Sequence, residues 1–130
     1  RLLERERLIT VVHGGAVFNK AHDMEIPYSK RQTSATREKA LIGARAAQLV
    51  RDGTAISIDA GTTCHEVART LRSRSDLTVV TNALNVAQEL ADCPGIVTIV
   101  SGGVVRSKSY CLVGAGAERT FQEWRVDEAF

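Results

Sequence analysis

Between residues 54 and 100 the sequence alternates short apolar runs with segments of helical character. Strands are predicted at 54–59, 77–81 and 96–100, and helices at 63–71 and 83–91. Strands that alternate with helices of about ten residues are typical of βαβ units, whose strands are parallel and whose crossovers are right-handed. This pattern predicts an α/β fold with an open, mostly parallel sheet and flanking helices.

Two of these elements carry more detailed predictions. The runs 77–80 and 96–100 are nearly continuous in apolar and β-branched residues, which is typical of strands buried on both faces. A further helix is predicted at 34–50, and its apolar stripe is expected to consist of Ile42, Ala46, Leu49 and Val50.

The remaining segments are shorter. At the front, a β-like run at 9–12 is followed by a turn at 13–16, and residues 17–35 show no period and are expected to be connecting chain. A hairpin or loop is predicted at 104–109, a strand at 110–113, a helix at 114–124 and the start of another strand at 126–130. Because that last strand should continue, we expect the natural C-terminal part to be missing.

The composition is that of an ordinary soluble globular protein. Of the 130 residues, 44% are hydrophobic and 25% are charged, which is not the composition of a disordered chain. This length makes one domain, or one domain with a fragment of another. No apolar run approaches the ~18–20 residues that span a bilayer and no secretory leader is recognisable, so the cytoplasm is the default expectation.

Charge is distributed unevenly along the chain. Residues 1–51 hold ten Lys/Arg and five Asp/Glu (+5), whereas residues 52–130 hold seven and ten (−3). The overall charge of +2 does not by itself indicate nucleic acid. The basic front is a weak indication that the N-terminal side faces a polyanion, and on charge alone a solvated basic helix face is the preferred interpretation.

The three cysteines, Cys64, Cys93 and Cys111, form no CxxC pair, so neither a disulfide framework nor a zinc knuckle is expected. Cys64 lies just inside a predicted helix start, where the helix dipole could lower its pKa. A plain packing role is the preferred interpretation because no histidine is placed to act as its base. His65 is expected to be an exposed helix residue, His22 lies in the connecting chain, and no metal site is predicted.

Polar turns follow three successive predicted strands: Asp59-Ala60-Gly61-Thr62-Thr63, Thr81-Asn82 and Ser101-Gly102-Gly103. In an open α/β sheet, ligands bind in the crevice at the carboxyl ends of the strands. Two of the turns lead into helices, whose free N–H groups favour phosphate, and Arg106 could add a bidentate guanidinium.

Each turn also has a simpler explanation. Thr63-x-x-Glu66 fits a capping box, and Asn82 is a good N-cap. Neither a dinucleotide-binding fingerprint nor a Walker loop is present, so neither a dinucleotide nor a nucleoside triphosphate is indicated as a ligand. Taken together, the three turns favour an anion site.

The chain carries a series of motifs in a fixed order. They are Glu25-x-Pro27, Arg31, Arg37-Glu38-Lys39, Asp52-Gly53, Asp59-Ala60-Gly61-Thr62-Thr63, Leu77-Thr78-Val79-Val80-Thr81-Asn82, Gly102-Gly103-x-x-Arg106, Val113-Gly114 and Val126-Asp127-x-Ala129-Phe130. This pattern resembles the C-terminal sensor domain of DeoR-type bacterial transcription repressors, over nearly the whole chain from Glu25 on. His13-Gly14-Gly15-Ala16 resembles the end of that family's winged helix-turn-helix, just after the wing.

The resemblance implies a domain organisation and a function. Residues 1–16 would be the remnant of a DNA-binding domain, 17–35 a linker, and 36–130 an effector-binding sensor domain with a fold similar to ribose-5-phosphate isomerase. The protein would be a cytoplasmic repressor of sugar-metabolism genes that senses a phosphorylated sugar. It would bind operator DNA through an N-terminal domain not in this chain, form a homo-oligomer, need no cofactor and have no membrane partner.

The resemblance also implies where the effector binds. The pocket would be lined by Asp59, Gly61, Thr62, Thr63, Thr81, Asn82, Gly102, Gly103 and Arg106, with Asp127 at its far side. Two other interpretations stay open: a sugar-phosphate isomerase-like enzyme, and an oligomerisation scaffold with an empty crevice. Isomerisation needs a carboxylate base whose pKa is raised and a second acid–base group, and Asp59 is the only carboxylate in the three turns. We therefore expect a binding domain without catalytic residues.

Overall fold

The computed structural model of the chain describes residues 2–6, 8–18 and 25–130. The elements are, in chain order, α1 (Leu2–Arg5), β1 (Ile9–Val12), β2 (Gly15–Phe18), α2 (Tyr28–Gln32), α3 (Thr36–Ala47), β3 (Ala55–Ile58), α4 (Thr62–Leu71), β4 (Leu77–Thr81), α5 (Leu84–Leu90), β5 (Ile96–Val100), β6 (Val104–Arg106), β7 (Cys111–Val113), α6 (Ala115–Glu123) and β8 (Glu128–Ala129). In the described ranges no helix has the length and apolarity of a membrane span.

The largest sheet has the strand order β5-β4-β3-β8, and each neighbouring pair in it is parallel. β3 and β4 align Ala55 with Thr78, and β4 and β5 align Leu77 with Ile96, so the three longer strands end at one common edge. Helices α4 and α5 connect these strands, as βαβ units require. The predicted α/β fold with a mostly parallel sheet is therefore confirmed.

The hydrophobic core lies between this sheet and helices α3, α4 and α5. The sheet contributes Ile56, Ile58 and Val79, and the helices contribute Leu71 and Val86, all completely buried. Burying each side chain of this size contributes about 1.5–3 kcal/mol, so this layer is a major source of the stability of the fold.

The prediction that β5 is buried on both faces is wrong. β4 is buried along most of its length, but Val97 and Val100 of β5 are 62% and 42% exposed. The reason is the strand order: among the described residues β5 is the outermost strand of this sheet, so it lacks a neighbour on one side. An uninterrupted β-branched run does not tell a central strand from an edge strand.

The predicted apolar stripe of α3 is wrong at two of its four residues. Val50 is buried and Ala46 packs against the core, but Ile42 and Leu49 are each more than half exposed. Within the helix itself the buried residues are Gly43 and Ala47. A Cβ on Gly43 would lie 2.7 Å from the carbonyl carbon of Glu66, so the missing side chain lets α3 approach the backbone of α4. Close approach at Gly43 therefore contributes, together with the burial of Ala47, to which face of α3 turns inward.

The front of the chain has more structure than its sequence indicates. The run at 9–12 and the following turn form an antiparallel hairpin of β1 and β2. The segment expected to be connecting chain contains helix α2, and Tyr28 at its start is only 6% exposed. His22, placed in that connector, lies outside the described residues.

The back of the chain follows the predicted elements closely. β6 and β7 form an antiparallel hairpin that pairs Arg106 with Cys111, and β7 continues through Gly114 into α6. β8 lies parallel to β3, with Ala129 opposite Ser57. The strand expected at the end of the chain is thus confirmed as a short strand of the main sheet.

Candidate functional site

The three polar turns predicted from sequence lie side by side at the carboxyl edge of the sheet. The Thr81 hydroxyl donates to the Ile58 carbonyl at 2.6 Å, and the Ser101 amide donates to the Thr81 carbonyl at 2.9 Å. On the other side, the Asp59 amide donates to the Phe130 carbonyl at 2.9 Å. These bonds join the ends of neighbouring strands, so the parallel register brings the three turns together at one edge of the sheet.

The first turn, residues 59–63, leads into the N-terminus of α4. Gly61 has φ = +151°, a conformation that favours glycine, and the helix starts at Thr62, which is buried. No side chain of the described chain caps this helix, so its first N–H groups have no side-chain capping partner. The predicted capping box does not form, because the helix begins at Thr62 and Thr63 therefore lies inside it, while Glu66 pairs with Arg69 at 3.2 Å.

Cys64 lies in the first turn of α4 and packs against the hydrophobic core. Burial raises the pKa of its thiol, and the nearby carboxylate of Asp59 raises it further. The alternative that the helix start lowers this pKa is therefore wrong, and the packing role is the one that the structure supports. Asp59 itself is exposed at the end of β3.

In the second turn, Thr81 makes buried hydrogen bonds within the protein, whereas Asn82 lies beside a cleft. The hydroxyl of Thr81 is completely buried: it donates to Ile58 and accepts from the Ala83 amide at 3.0 Å. Asn82 is not the residue that precedes α5, since Ala83 holds that place. Its side-chain amide nitrogen lies 3.4 Å from the Leu112 carbonyl, and its backbone carbonyl accepts from the Leu112 amide at 2.8 Å.

A cleft of about 480 Å³ opens beside Asn82, between β7 and α6. Leu112, Val113 and Phe121 give it an apolar wall, and Asn82 and Glu118 give it polar groups. Its volume lies within the range of about 300–1,000 Å³ that is usual for small-ligand pockets. Asn82 is the sequence-predicted site residue that lines it.

The glycines of the third turn let the chain pass close to the β6–β7 hairpin. A Cβ on Gly103, which has φ = +126°, would lie 2.5 Å from the Val113 carbonyl oxygen. A Cβ on Gly102 would lie 3.8 Å from the Cα of Gly116 in α6. These contacts give Gly103 a structural requirement that is independent of any ligand.

Two of the charged residues in the predicted pocket have protein partners. The Arg106 guanidinium donates to a carboxylate oxygen of Glu25 at 2.9 Å. Asp127 accepts from the Ala55 amide at 2.9 Å, and its own amide donates to the Ala55 carbonyl at 2.7 Å. Because Ala55 begins β3, Asp127 lies at the amino end of the sheet and does not join the turns at the carboxyl edge.

A second polar cluster was not predicted from the sequence. The Tyr28 hydroxyl lies 3.3 Å from Nδ1 of His65 and accepts from Asn85 at 2.8 Å. Nε2 of His65 contacts Glu89 at 3.1 Å, and Arg72 donates to the same carboxylate at 2.7 Å. The expectation that His65 is an exposed helix residue is wrong, since its side chain is only 15% exposed.

The electrostatics of this cluster follow from its burial. Burial raises the pKa of Tyr28 above its usual range, against a smaller opposite effect of the Asn85 hydrogen bond. Burial also acts to raise the pKa of Glu89, but hydrogen bonds from Arg72 and His65 outweigh it and hold that pKa below its usual range. The cluster borders a second cleft of about 510 Å³ between α2 and helices α4 and α5. No sequence period marks it, because its members come from three separate helices.

No metal centre is formed by the residues at hand: within the described ranges no group of three or more His, Cys, Asp or Glu side chains is arranged to hold an ion.

The parallel sheet, its crossover helices and the polar turns at its carboxyl edge define an open α/β domain. The family described as "DeoR C terminal sensor domain" matches residues 34–130, and the chain belongs to this family. The resemblance noted from the motifs is therefore confirmed.

The relatives are named as bacterial transcription regulators. The chain is 36% identical to the HTH-type transcriptional regulator YulB of Bacillus subtilis, over 98% of this chain and 49% of the relative. It is 33% identical to the glycerol-3-phosphate regulon repressor of Escherichia coli, over 96% of this chain and 49% of the relative. The chain thus spans about half the length of these curated relatives.

Among solved structures, ribose 5 phosphate isomerase A from Neisseria gonorrhoeae aligns with 56% of this chain and 35% of its own, at 22% identity and a TM-score of 0.45.

Proposed function

We propose that this domain is the effector-binding part of a DeoR-type transcriptional repressor of sugar-metabolism genes, and that its effector is a phosphorylated sugar. The observation that carries the proposal is the alignment of three polar turns at one sheet edge, where α4 begins without a side-chain cap. A helix N-terminus attracts a doubly charged phosphate through its free N–H groups and its dipole. The name of the glycerol-3-phosphate regulon repressor points to the same chemistry in a relative.

Different parts of the edge would hold different parts of the ligand. The backbone of Gly61, Thr62 and Thr63 would hold the phosphate, and Arg106 would pair with it once released from Glu25. Asp59 and Asn82 would bind sugar hydroxyls, with the apolar wall of the neighbouring cleft against the carbon skeleton.

The four other predicted residues would not contact the ligand in this proposal. Thr81 would keep the strand ends together, and Gly102 and Gly103 would let the hairpin approach. Asp127 receives no ligand role, because it bonds to Ala55 at the opposite end of β3.

The proposed activity is binding and not turnover. Asp59 is the only carboxylate in the three turns, and the histidine of α4 is engaged by Tyr28 and Glu89. Aldose–ketose isomerisation requires a base and an acid that act on the same bound sugar. Incubation with ribose 5-phosphate should therefore yield no ribulose 5-phosphate, and detectable turnover would contradict the proposal.

Operator DNA would be bound through an N-terminal domain that the relatives' HTH names imply. Repressors of this kind read two-fold symmetric sites, so we propose an even-numbered homo-oligomer, to be measured by sedimentation. A strictly monomeric protein that binds its operator would contradict this part of the proposal.

A thermal-shift panel tests the sensing function. Ribose 5-phosphate, glucose 6-phosphate and glycerol 3-phosphate should be compared with ribose, glucose and glycerol. At about 100 times its dissociation constant a true effector adds about 2.7 kcal/mol of stability, which is a readily measured rise in melting temperature. We expect a shift only with a phosphorylated compound.

Matched variants assign that shift to the proposed site. Arg106→Ala should abolish it, whereas Arg45→Ala, which removes an exposed arginine of α3 bonded only to nearby Gln48, should not. If inorganic phosphate shifts the melt but no phosphorylated sugar does, the anion site remains and the sensing function is refuted. If Arg106→Ala binds as well as the parent, the phosphate lies elsewhere.

A further inference from the structure

The segment that begins at Glu25 is attached to the β6–β7 hairpin by three contacts. The Glu25 carboxylate accepts from Arg106 at 2.9 Å, across 81 positions of sequence. The Tyr28 amide donates to the Lys108 carbonyl at 3.0 Å. The Tyr28 and Tyr110 rings pack edge to face with their centroids 5.1 Å apart.

The first of these contacts uses the guanidinium on which phosphate binding would depend. The Arg106 and Glu25 side chains are 47% and 23% exposed, and ion pairs in such settings stabilise a fold by only about 0–1 kcal/mol. A phosphate offers two oxygens and a higher charge to the same guanidinium, so it pairs more strongly than one carboxylate oxygen does. An exchange of partners at Arg106 is therefore energetically accessible.

We propose that Glu25 sets the affinity of this domain for its effector by occupying Arg106 in the ligand-free state, so that the effector phosphate binds by displacing the Glu25 carboxylate. This inference rests on the proposed function, because it takes Arg106 as a phosphate ligand. Glu25 is then an internal competitor and not a ligand of the effector.

The displacement also has a structural consequence. The Tyr28 hydroxyl keeps its contacts with Asn85 on α5 and His65 on α4, so α2 stays in place when the ion pair breaks. The Tyr28 amide, by contrast, is bonded to Lys108 in the same hairpin as Arg106, so its hydrogen bond is weakened when that hairpin loses its contact with Glu25. The end of this segment at Glu25 loses the ion pair with Arg106 that holds it to the β6–β7 hairpin. Since Glu25 lies on the N-terminal side of α2, effector binding loosens the attachment of the chain on the side of the β1–β2 hairpin.

Titration calorimetry with inorganic phosphate tests the competition directly, in buffers matched for ionic strength with chloride. Glu25→Gln removes the competing charge and should tighten phosphate binding about 2- to 5-fold, the factor that an ion pair of this strength represents. Asp52→Asn is the matched control, because it removes a carboxylate from the Arg74 pair, which lies elsewhere, and it should leave the affinity unchanged. In an Arg106→Ala background, Glu25→Gln should bring no gain.

Hydrogen exchange at the Tyr28 amide gives a second measurement that does not depend on affinity. We expect faster exchange in Glu25→Gln without ligand, and in the parent protein when phosphate is added. Equal phosphate affinity of the parent and Glu25→Gln would overturn the competition while the proposed function stands. Weaker binding by Glu25→Gln would also overturn it, since Glu25 would then support the pocket. Absence of phosphate binding to either protein would overturn this inference, whereas the proposed function would still be decided by the panel of phosphorylated sugars.

Discussion

At the contact between helices α3 and α4, we predict that replacing Gly43 by alanine lowers the free energy of unfolding. Helix propensity alone would predict the opposite, because alanine is the better helix former. An alanine Cβ at this position would lie 2.7–2.8 Å from three atoms of Glu66, two of which belong to the backbone of α4. Carbon atoms in favourable contact are about 3.5–4.0 Å apart. The two helices would therefore have to separate by several tenths of an ångström or more along their contact.

Two opposing terms give the size of the effect of Gly43→Ala. Forcing an extra carbon into a packed contact costs about 1–3 kcal/mol, because neither backbone can move aside locally. Alanine is a better helix former than glycine by about 0.8–1.0 kcal/mol, which offsets part of that cost. We expect a net destabilisation of about 1 kcal/mol, where an open helix position would show a stabilisation of similar size.

Urea unfolding followed by circular dichroism measures this difference directly. The matched control is Ala40→Gly at an exposed position of the same helix, which should cost about 1 kcal/mol through propensity alone. If Gly43→Ala raises the free energy of unfolding, the two helices do not meet as closely as the structure places them, and the account of the buried face of α3 is wrong.

Three further predictions concern the sheet edge and its surroundings. Thr81→Val should cost about 2 kcal/mol in the free energy of unfolding, because the Ile58 carbonyl and the Ala83 amide lose their buried hydroxyl partner. Glu89→Gln should make the free energy of unfolding less dependent on pH in the acid range. The folded pKa of Glu89 lies below its ordinary value of 4.5, so its carboxylate stabilises the protein above pH 4.5, and this stabilisation is lost as the pH falls through the lowered pKa. Cys64 should react with a thiol reagent at pH 8 more slowly than free cysteine, because burial and then the neighbouring carboxylate raise its pKa.

Each of these predictions has a control and a result that would contradict it. Thr78→Val, on the same strand and only partly buried, should change the free energy of unfolding by less than 1 kcal/mol. An equal loss in the two variants would show that the buried hydrogen bonds of the Thr81 hydroxyl do not account for the effect. Glu123→Gln, at an exposed end of α6, should leave the acid profile unchanged. A Cys64 thiol as reactive as free cysteine would mean that the helix start dominates its environment.

The order of the elements could be predicted because it depends on local pattern. Alternating apolar runs and helical segments placed β3, α4, β4, α5 and β5 within one or two residues of their observed bounds. The parallel arrangement followed, since short helical crossovers leave few other topologies. The alignment of the three turns at one edge was a consequence of that arrangement.

Contacts between distant segments could not be predicted in the same way. Nothing local to Arg106 indicates that its partner is Glu25, and nothing local to His65 indicates that Tyr28 and Glu89 enclose it. Asp127 was expected at the far side of the pocket, but the register of β8 against β3 carries it to the amino end of the sheet.

The fold class, the three polar turns and the family could therefore be predicted from the sequence, because periodicity, turn chemistry and motifs are properties of neighbouring residues. The buried face of α3, the partner of Arg106 and the position of Asp127 became known from the three-dimensional structure. Those outcomes depend on strand order, register and the distance between helices, and these are set by the packing of segments that lie tens of residues apart in the chain.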